Sequence, residues 1–405
     1  MIKVKQQQIF PLQGAIQHYA WGGFTYLPEL LGIENQEHQP FAELWMGAHD
    51  RGPAIIQKNG QFQPLSKTLE EHPEWLGEAV QQNFDSKLPY LFKVLDVRQM
   101  LSIQSHPTKA QAEAGFRREN EQGIPLDAPH RNFKDDNHKP EVMAALTEFW
   151  LLHGFKNEAA LERCLREVPE FSSLQPYFAE RSIFQLYKAV MEMSQPEVDR
   201  VLRPMEQRLR PLAQAGELDK SQPEYWAMQA FDHHMLEGGH YDRGVFSIYF
   251  FNLVKIMPGE GIYQGAGIPH AYLEGVNVEL MANSDNVFRG GLTVKHVDVP
   301  ELLNHLVFDP VEPRVLKGDP LSEAEWAYRT PAPDFQLNRI QLSKGQHYQP
   351  PATEGPEIIL VIEGKVSLEG NGRSYAKGES FFVPAGRDYI LQSQEASLLF
   401  KALVP

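Results

Sequence analysis

Three short polar segments interrupt apolar stretches of the chain and carry side chains that can bind a metal ion. They are residues 102–107 (SIQSHP), 137–141 (NHKPE) and 268–273 (IPHAYL). In the first segment more polar and less polar residues alternate, so an extended strand would place Gln104 and His106 on the same face. We therefore expect both side chains to reach one site.

Together the three segments offer Gln104, His106, Glu141 and His270 as ligands. Two imidazoles, a carboxylate and an amide oxygen suit zinc, which accepts nitrogen and oxygen ligands in a tetrahedral arrangement. Because glutamine is neutral, only Glu141 would offset the charge of the ion, which would stay a strong Lewis acid. The set therefore favours a catalytic zinc over a structural one, for which thiolates are more usual.

The charge of the chain argues against a general surface for polyanions. Among 405 residues, 38 Lys and Arg stand against 53 Asp and Glu, which gives a net charge of −15. Nucleic acids and anionic membranes attract basic surfaces, so a phosphate group would have to be held in a local basic pocket. The length exceeds that of one ordinary hydrophobic core, and two or three packed units are expected.

Cysteine use and the first residues bear on the compartment. Cys164 is the single cysteine, so the chain forms no intramolecular disulfide and has no thiolate zinc site. Residues 1–6 (MIKVKQ) lack the apolar run of a signal peptide, and no stretch is apolar for long enough to span a bilayer. We expect a soluble cytoplasmic protein without a nucleic-acid or membrane partner.

Three sequence patterns follow one another along the chain. From residue 8 to 155, short apolar runs alternate with Gly, Pro and Asn turns, which predicts antiparallel strands. Within this part, Thr108 is the expected N-cap of a helix. From 157 to 229 apolar residues recur at helical spacing, which predicts a helical insertion with prolines at its breaks. From residue 244 the pattern again predicts strands.

An internal repeat lies in the last part. Gly259 and Gly267 precede His270, and a second copy with the same spacing ends at Tyr389. The spacing is similar to the second half of a cupin metal motif, in which a glycine turn precedes a strand whose histidine points into a barrel. Because the second copy has tyrosine in place of histidine, we expect a C-terminal barrel that binds no metal.

Further motifs accompany the metal-binding residues. They are residues 19–22 (YAWG), 43–47 (ELWMG) and 283–293 (NSDNVFRGGLT). Together with the three polar segments, these motifs follow one another along the chain in the order of the family. The chain resembles the type I mannose-6-phosphate isomerases of the cupin superfamily from about Phe10 to Thr293. Several separate motifs in family order form a specific match.

The resemblance and the patterns of strands and helices predict a mainly β fold. We expect two cupin-like jelly-roll barrels with an α-helical insertion. Residues 1–156 and 231–310 would form the catalytic barrel, residues 157–230 the insertion, and residues 311–405 a metal-free C-terminal barrel. The sequence leaves open whether the protein is a monomer or a homodimer.

The resemblance implies a zinc-dependent aldose–ketose isomerase that interconverts D-mannose 6-phosphate and D-fructose 6-phosphate. A proton would move between C2 and C1 through a cis-enediol(ate). One zinc ion per chain would be held by Gln104, His106, Glu141 and His270. Such a reaction needs a base for the carbon-bound proton, a stabiliser for the enediolate oxygens and a site for the phosphate.

Roles can be assigned to residues that match the motifs of the family. Lys139 is the candidate for proton transfer or enediolate stabilisation, and His138 for assistance in ring opening. Glu279 and Asp285 are rival carboxylate bases. The remaining candidates, which would hold the phosphate, stabilise the developing oxyanion or line the mouth of the site, are Arg289, Lys93, Lys295 and Ser102.

Other residues of reactive types are interpreted as structural. Trp21 and Trp45 are expected to be core aromatics. A histidine that is not part of a motif with other possible ligands is more often a hydrogen-bonded structural residue than a metal ligand. The histidines interpreted in this way are His49, His153, His233, His234 and His296.

Three other functions are compatible with the residues. A cupin of this shape could be a non-catalytic sensor of sugar phosphates, or an isomerase for another sugar phosphate. It could also be an iron dioxygenase, whose two histidines and one carboxylate would require that Gln104 is not a ligand. A fusion of an isomerase with a guanylyltransferase is disfavoured, because the chain has no long N-terminal region with a Gly-rich phosphate loop.

Overall fold

The computed structural model describes residues 9–351, 353–370 and 372–405. The signal-peptide prediction concerns residues 1–6, which lie outside the described residues. Two 3₁₀ helices span Pro73–Leu76 and Pro169–Phe178. The α-helices are α1 (Tyr26–Leu31), α2 (Leu65–Glu71), α3 (Glu78–Asn83), α4 (Lys109–Glu121), α5 (Glu158–Glu167), α6 (Ile183–Glu192), α7 (Gln195–Gln214), α8 (Pro223–His233), α9 (Gly244–Phe250) and α10 (Val299–His305).

Strands make up most of the regular structure outside the run α5–α8. They are β1 (Phe10–Gln13), β2 (Ala15–Gln17), β3 (Glu43–Gly47), β4 (Ile55–Lys58), β5 (Gln61–Pro64), β6 (Tyr90–Val97), β7 (Gln104–Ser105), β8 (Glu141–Ala145), β9 (Phe149–Phe155), β10 (Phe251–Ile256), β11 (Gly261–Gln264), β12 (His270–Ala282), β13 (Phe288–Arg289), β14 (Asp319–Pro320), β15 (Glu325–Tyr328), β16 (Gln336–Leu342), β17 (His347–Tyr348), β18 (Glu357–Glu363), β19 (Lys365–Leu368), β20 (Ser374–Ala376), β21 (Ser380–Val383), β22 (Leu391–Ser393) and β23 (Ser397–Leu403). This sheet-rich architecture with several helices agrees with the predicted mainly β class.

The strands pair in three sheets. The first sheet contains the path β10-β9-β12-β6-β3-β2, to which β7, β8, β11 and β13 are attached. The second has the order β14-β15-β16-β23-β18-β21-β1-β4-β5, and the third the order β17-β22-β19-β20. The predicted metal ligands all lie on or beside strands of the first sheet.

Strand β12 organises the part of the first sheet that holds the site. Its start pairs with β7 and β9, and the rest pairs with β6 and β8. The register with β9 shifts between Tyr272 and Glu274. Next to this shift, Gly275 has a φ of 129°, and a Cβ atom there would lie 2.6 Å from a ring carbon of Phe149. Glycine is therefore required where the two backbones come close.

Helices form in the predicted insertion and after the first polar segment, but the prolines do not all mark helix breaks, because Pro204 and Pro211 lie inside α7. Helices α5–α8 span residues 158–233. In α5, Leu161 and Leu165 are buried and Cys164 is half-buried, as the 3.6-residue period predicts. Helix α4 follows Thr108, whose side chain accepts from the backbone of Gln111 in a capping box. In the described residues, no helix has the length and apolar content needed to cross a membrane.

The beginning of the chain joins the C-terminal strands. Strand β1 pairs with β21 and β4, and thereby belongs to the second sheet. Apolar side chains of the first and second sheets, among them Phe92 and Phe382, pack in one core. The predicted division of the chain at residues 156, 230 and 310 stays a prediction.

The two copies of the sequence repeat share their backbone conformation. Gly259 and Gly378 have φ angles of 85° and 83°, and Gly267 and Gly386 have φ angles of 76° and 67°. These left-handed angles favour glycine, which explains why the repeat keeps it. The first copy leads into β12 and His270.

Candidate metal centre and active site

His106, Glu141 and His270 converge in the first sheet. Their ligand atoms all lie within 4.8 Å of one another, and all three residues are buried. His106 directly follows β7, Glu141 begins β8 and His270 begins β12. Two imidazole nitrogens and a carboxylate at this separation match the ligand atoms of one divalent metal ion.

Hydrogen bonds orient both imidazoles toward Glu141. Nδ1 of His106 lies 2.7 Å from the carbonyl oxygen of Asn286, and Nδ1 of His270 lies 3.0 Å from that of Ile268. Because a carbonyl only accepts, Nδ1 of each ring carries the hydrogen and Nε2 presents a lone pair. The two Nε2 atoms lie 3.4 and 3.3 Å from the carboxylate oxygens of Glu141. The residues therefore fit a bound metal, whose histidine ligands usually bond a second group in this way.

The protonation states of these groups also fit a metal. Among the described residues, Nε2 of His106 is a buried nitrogen without a hydrogen-bond partner. Burial lowers the pKa of His106 to about 4, although Glu141 partly opposes this, so the ring is neutral at pH 7. Burial acts to raise the pKa of Glu141, but Lys139 and His106 lower it well below the usual value. A neutral imidazole and an ionised carboxylate are the forms that bind a metal.

Gln104 is paired with one member of the cluster, His270, in the register of the strands. It lies opposite His270 in the pair β7–β12 and opposite Arg289 in the pair β7–β13. Residues directly opposite each other project to the same face, with Cβ atoms about 4.5–5.5 Å apart. In the described part of the chain, the amide of Gln104 has no hydrogen-bond partner. Its assignment as the fourth ligand stays a prediction.

Comparisons with known proteins agree with this site. Residues 9–158 match the family model of the phosphomannose isomerase type I catalytic domain. The chain is 38% identical over 390 residues to the mannose-6-phosphate isomerase of Salmonella typhimurium, an alignment that covers 92% of this chain and 94% of that relative. The chain belongs to the mannose-6-phosphate isomerase family. The family extends to Homo sapiens, whose mannose-6-phosphate isomerase is 33% identical over 385 residues, with 89% and 88% covered.

Solved structures of the family have the same fold. The mannose 6-phosphate isomerase of Salmonella typhimurium bound to its substrate fructose 6-phosphate and zinc aligns with a TM-score of 0.87 and 34% identity, covering 98% of this chain and 99% of that one. A zinc-bound holo mannose 6-phosphate isomerase aligns with the same TM-score, identity and coverage. The predicted family is thereby confirmed.

Lys139 lies against the metal cluster. Its Nζ is 2.9 Å from Oε1 of Glu141, and the side chain is buried. The ammonium group of Lys139 and the carboxylate of Glu141 are therefore in contact. The role of Lys139 in proton transfer stays a prediction.

Lys93 is buried between two carboxylates. Its Nζ lies 3.5 Å from Glu43 and 3.4 Å from Glu279. Tyr272 donates to the other oxygen of Glu279 at 2.7 Å, and the indole of the buried Trp45 donates to Glu43 at 2.5 Å. Burial acts to lower the pKa of Lys93, but Glu43 and Glu279 outweigh it and raise the pKa. The charge of Lys93 is therefore offset within the sheet.

Asp285 is paired with basic residues. Its carboxylate accepts from the guanidinium of Arg51 and lies 3.5 Å from Nε2 of His49. Its backbone nitrogen donates to Asp135 at 2.7 Å. Burial acts to raise the pKa of Asp285, but His49 and Arg51 lower it. His49, interpreted as structural, therefore contacts a predicted site residue.

The structure does not bring His138 into contact with the metal cluster. Nε2 of its ring lies 2.8 Å from Oδ2 of the buried Asp334. Lys139 projects toward Glu141, and neighbouring residues of an extended segment project to opposite sides. Asp334 lies between β15 and β16, so the ring of His138 faces the second sheet. Assistance of ring opening by His138 stays a prediction.

The remaining candidates are less buried than the residues of the cluster. Arg289 is half-buried and Lys295 is exposed. Burial, and then the positive charges of Arg289 and Arg51, lower the pKa of Lys295. Ser102 is half-buried. The next residue, Ile103, exchanges backbone hydrogen bonds with Gly290 and Gly291.

Sequence reasoning missed the residues that hold the site together. The carbonyl of Asn286 orients His106, and its side-chain amide bonds the backbone of residues 134–137. His153, interpreted as structural, lies opposite His270 in the register and bonds Gln264 at 2.8 Å. These contacts join segments more than 100 residues apart, so no local spacing could reveal them.

Proposed function

We propose that this chain is a zinc-dependent isomerase that interconverts D-mannose 6-phosphate and D-fructose 6-phosphate, with one zinc ion per chain. The observation that carries the proposal is the buried His106–Glu141–His270 cluster, whose ligand atoms face one another in a member of this family. A relative of known structure binds fructose 6-phosphate and zinc. Gln104 would complete the ligand set.

Different residues of the chain would carry out different parts of the isomerisation. When bound, zinc would supply a Lewis acid for a substrate oxygen. Lys139 is next to Glu141 and therefore next to the reacting end of the sugar. As an amine it would remove the proton from C2, the proton of the C2 hydroxyl would pass to the oxygen on C1, and the resulting ammonium would return a proton to C1, so that Lys139 ends unchanged. Arg289, opposite Gln104 in the register, would stabilise the enediolate oxygens.

The two rival carboxylates, like Lys139 itself, are engaged with neighbouring side chains. Burial and the charge of Glu141 raise the pKa of Glu279, which strengthens it as a base. However, one oxygen of Glu279 accepts from Tyr272 and the other lies 3.4 Å from Lys93. Asp285 is engaged in its ion pair at the mouth. Of the three candidates, Lys139 is the one whose side chain contacts a predicted metal ligand, Glu141, and this contact supports it as the base.

We also propose the finer architecture of two cupin-like jelly-roll barrels. The catalytic barrel would comprise residues 1–156 and 231–310, and a metal-free barrel residues 311–405, with the insertion at 157–230. A buried cluster in the C-terminal part supports the absence of a metal there. Nζ of Lys401 lies 2.7 Å from Glu325 and 3.7 Å from Glu357, and Tyr389 donates to Glu357 at 2.7 Å. The ammonium group of Lys401 therefore supplies the positive charge that balances these buried carboxylates.

We infer a cytoplasmic location, and a monomer or a homodimer. The net charge of −15 offers no general attraction for nucleic acids or anionic membranes. The partner of the protein would be a small sugar phosphate, held by the local cations beside the cluster.

The proposed substrate can be tested with a coupled assay that detects fructose 6-phosphate. We expect the zinc-loaded protein to convert mannose 6-phosphate, and to act far more weakly on unphosphorylated mannose or on glucose 6-phosphate. Binding of mannose 6-phosphate without conversion would favour the sensor, and faster conversion of another sugar phosphate would favour a different specificity. Either result would overturn the proposed function.

A further inference from the structure

A guanidinium group that no motif singled out contacts a predicted site residue. Arg51 is in the loop of residues 48–54 between β3 and β4, four residues beyond the 43–47 motif. Its side chain is 64% exposed, and Nη2 contacts Oδ1 of Asp285. Arg51 therefore combines access to solvent with a fixed position beside a predicted site residue.

Both lysines that the structure describes at the buried end of the site are already paired with carboxylates. Lys139 is paired with Glu141, and Lys93 lies between Glu43 and Glu279. The metal cluster is also at this end, so C1 and C2 of the sugar belong there. The phosphate is on C6, at the other end of the six-carbon chain, and would extend toward the exposed end.

Three cations at the exposed end outnumber their acidic partners. Among the described residues, Arg289 and Lys295 have no ion-pair partner, and Arg51 pairs with Asp285 alone. After burial, the positive charges of Arg289 and Arg51 lower the pKa of Lys295. Three positive charges against one carboxylate leave a local excess of positive charge, which a phosphate dianion would neutralise.

The pairing with Asp285 orients Arg51 without using all of its donors. A guanidinium has five N–H groups in a planar fork that matches a phosphate. Asp285 is itself held, because its backbone nitrogen donates to Asp135 at 2.7 Å and His49 lies 3.5 Å from its carboxylate. The remaining N–H groups of the exposed guanidinium are thus positioned and available.

We propose that Arg51 is a substrate-binding residue that contacts the phosphate group of the sugar phosphate, and that Asp285 orients it. The identity of the substrate rests on the proposed function. Asp285 is then a positioning residue, because it orients the guanidinium group of Arg51 that binds the phosphate on C6.

The test compares Arg51→Gln with the unaltered zinc-loaded protein. We expect calorimetry to show fructose 6-phosphate binding weakened roughly 10- to 100-fold, because a charge-assisted hydrogen bond is lost. The KM for mannose 6-phosphate should rise by a similar factor while kcat changes by less than about threefold. Arg51→Lys keeps the charge but loses the fork, and should fall between the two. Arg118→Gln, which alters another exposed, acid-paired arginine, should leave affinity and KM unchanged.

The outcomes separate this inference from the proposed function. Unchanged fructose 6-phosphate affinity and KM in Arg51→Gln, or a fall in kcat at constant KM, would overturn the role of Arg51 and leave the isomerase intact. An unaltered protein that binds fructose 6-phosphate without turnover, with weaker binding in Arg51→Gln, would overturn the isomerase and retain the phosphate contact. Zinc content and melting temperature equal to those of the unaltered protein show that the variants are folded.

Discussion

At the scale of single residues, the orientation of His106 and His270 distinguishes a metal site from a cluster of polar side chains without a ligand. Both Nδ1 atoms bond backbone carbonyls, and both Nε2 atoms face Glu141. The side chains named as ligands could be predicted from residue type and motif. Their orientation could not, because the carbonyl that fixes His106 belongs to Asn286, 180 residues away.

The ligand set predicts two different losses of zinc. In His270→Ala one of two nitrogen ligands is removed, and we expect zinc affinity to fall more than about 100-fold, with activity lost. In Gln104→Ala a neutral oxygen ligand is removed, and a smaller loss is expected. Zinc per chain after dialysis measures both. If Gln104→Ala retains zinc as tightly as the unaltered protein, Gln104 is not a ligand and the three-ligand alternative gains support.

The proton-transfer assignment predicts loss of turnover without loss of metal. Lys139→Met removes the amine but leaves His106, Glu141 and His270 in place. We expect one zinc per chain and a kcat lowered about 10²- to 10⁴-fold, the usual contribution of a general base. Near-normal turnover would contradict the assignment, and Glu279→Gln and Asp285→Asn would then show which carboxylate serves as the base.

At the scale of elements, the turn before β12 sets where His270 begins. Gly267 has a φ of 76°, and a Cβ atom there would lie 2.8 Å from Val307 and 2.9 Å from the carbonyl of His305. The equivalent Gly386 has a φ of 67° and no atom within 4 Å of the same position. The repeat therefore contains two similar turns, of which only one is confined by packing.

These two glycines provide a matched pair of variants. Alanine at either position adopts a strained left-handed conformation, which costs about 1 kcal/mol. Gly267→Ala also has to displace its neighbours, so we expect a further loss of about 1–3 kcal/mol in urea unfolding and weaker zinc binding. Gly386→Ala should retain full zinc affinity. Equal zinc affinity in the two variants would contradict the link between this turn and His270.

Local patterns predicted elements well where local interactions decide them. The N-cap Thr108 and the buried stripe of α5 were predicted from their own neighbourhoods. Prolines were expected to mark helix breaks, yet Pro204 and Pro211 lie inside α7. That helix buries five apolar side chains, and tertiary packing of this kind can outweigh the roughly 3 kcal/mol that an internal proline costs.

At the scale of the whole molecule, long-range pairing joins parts that the sequence presents as separate. Phe10 of β1 lies opposite Phe382 of β21, and His138 reaches Asp334. The mainly β class and the helical insertion could be predicted from period and composition. The pairing of β1 could not, because register between distant strands depends on the assembled core rather than on local spacing.

The C-terminal cluster predicts a protein whose stability, but not its zinc content, depends on Lys401. In Lys401→Met the buried Glu325 and Glu357 lose their counter-charge, and we expect urea unfolding to show a loss of about 3–5 kcal/mol. Zinc should remain at one per chain. The exposed Lys344→Met is the control and should be neutral. Unchanged stability in Lys401→Met would show that this ammonium does not sustain the C-terminal interior.

A zinc titration of the chelator-treated protein tests the central claim most directly. Isomerase activity toward mannose 6-phosphate and bound zinc would be measured in the same samples as zinc is added back. We predict that chelation abolishes activity and that activity returns in proportion to zinc, with an end point at one ion per chain. Full activity after complete removal of zinc, or no activity at one zinc per chain, would contradict the account.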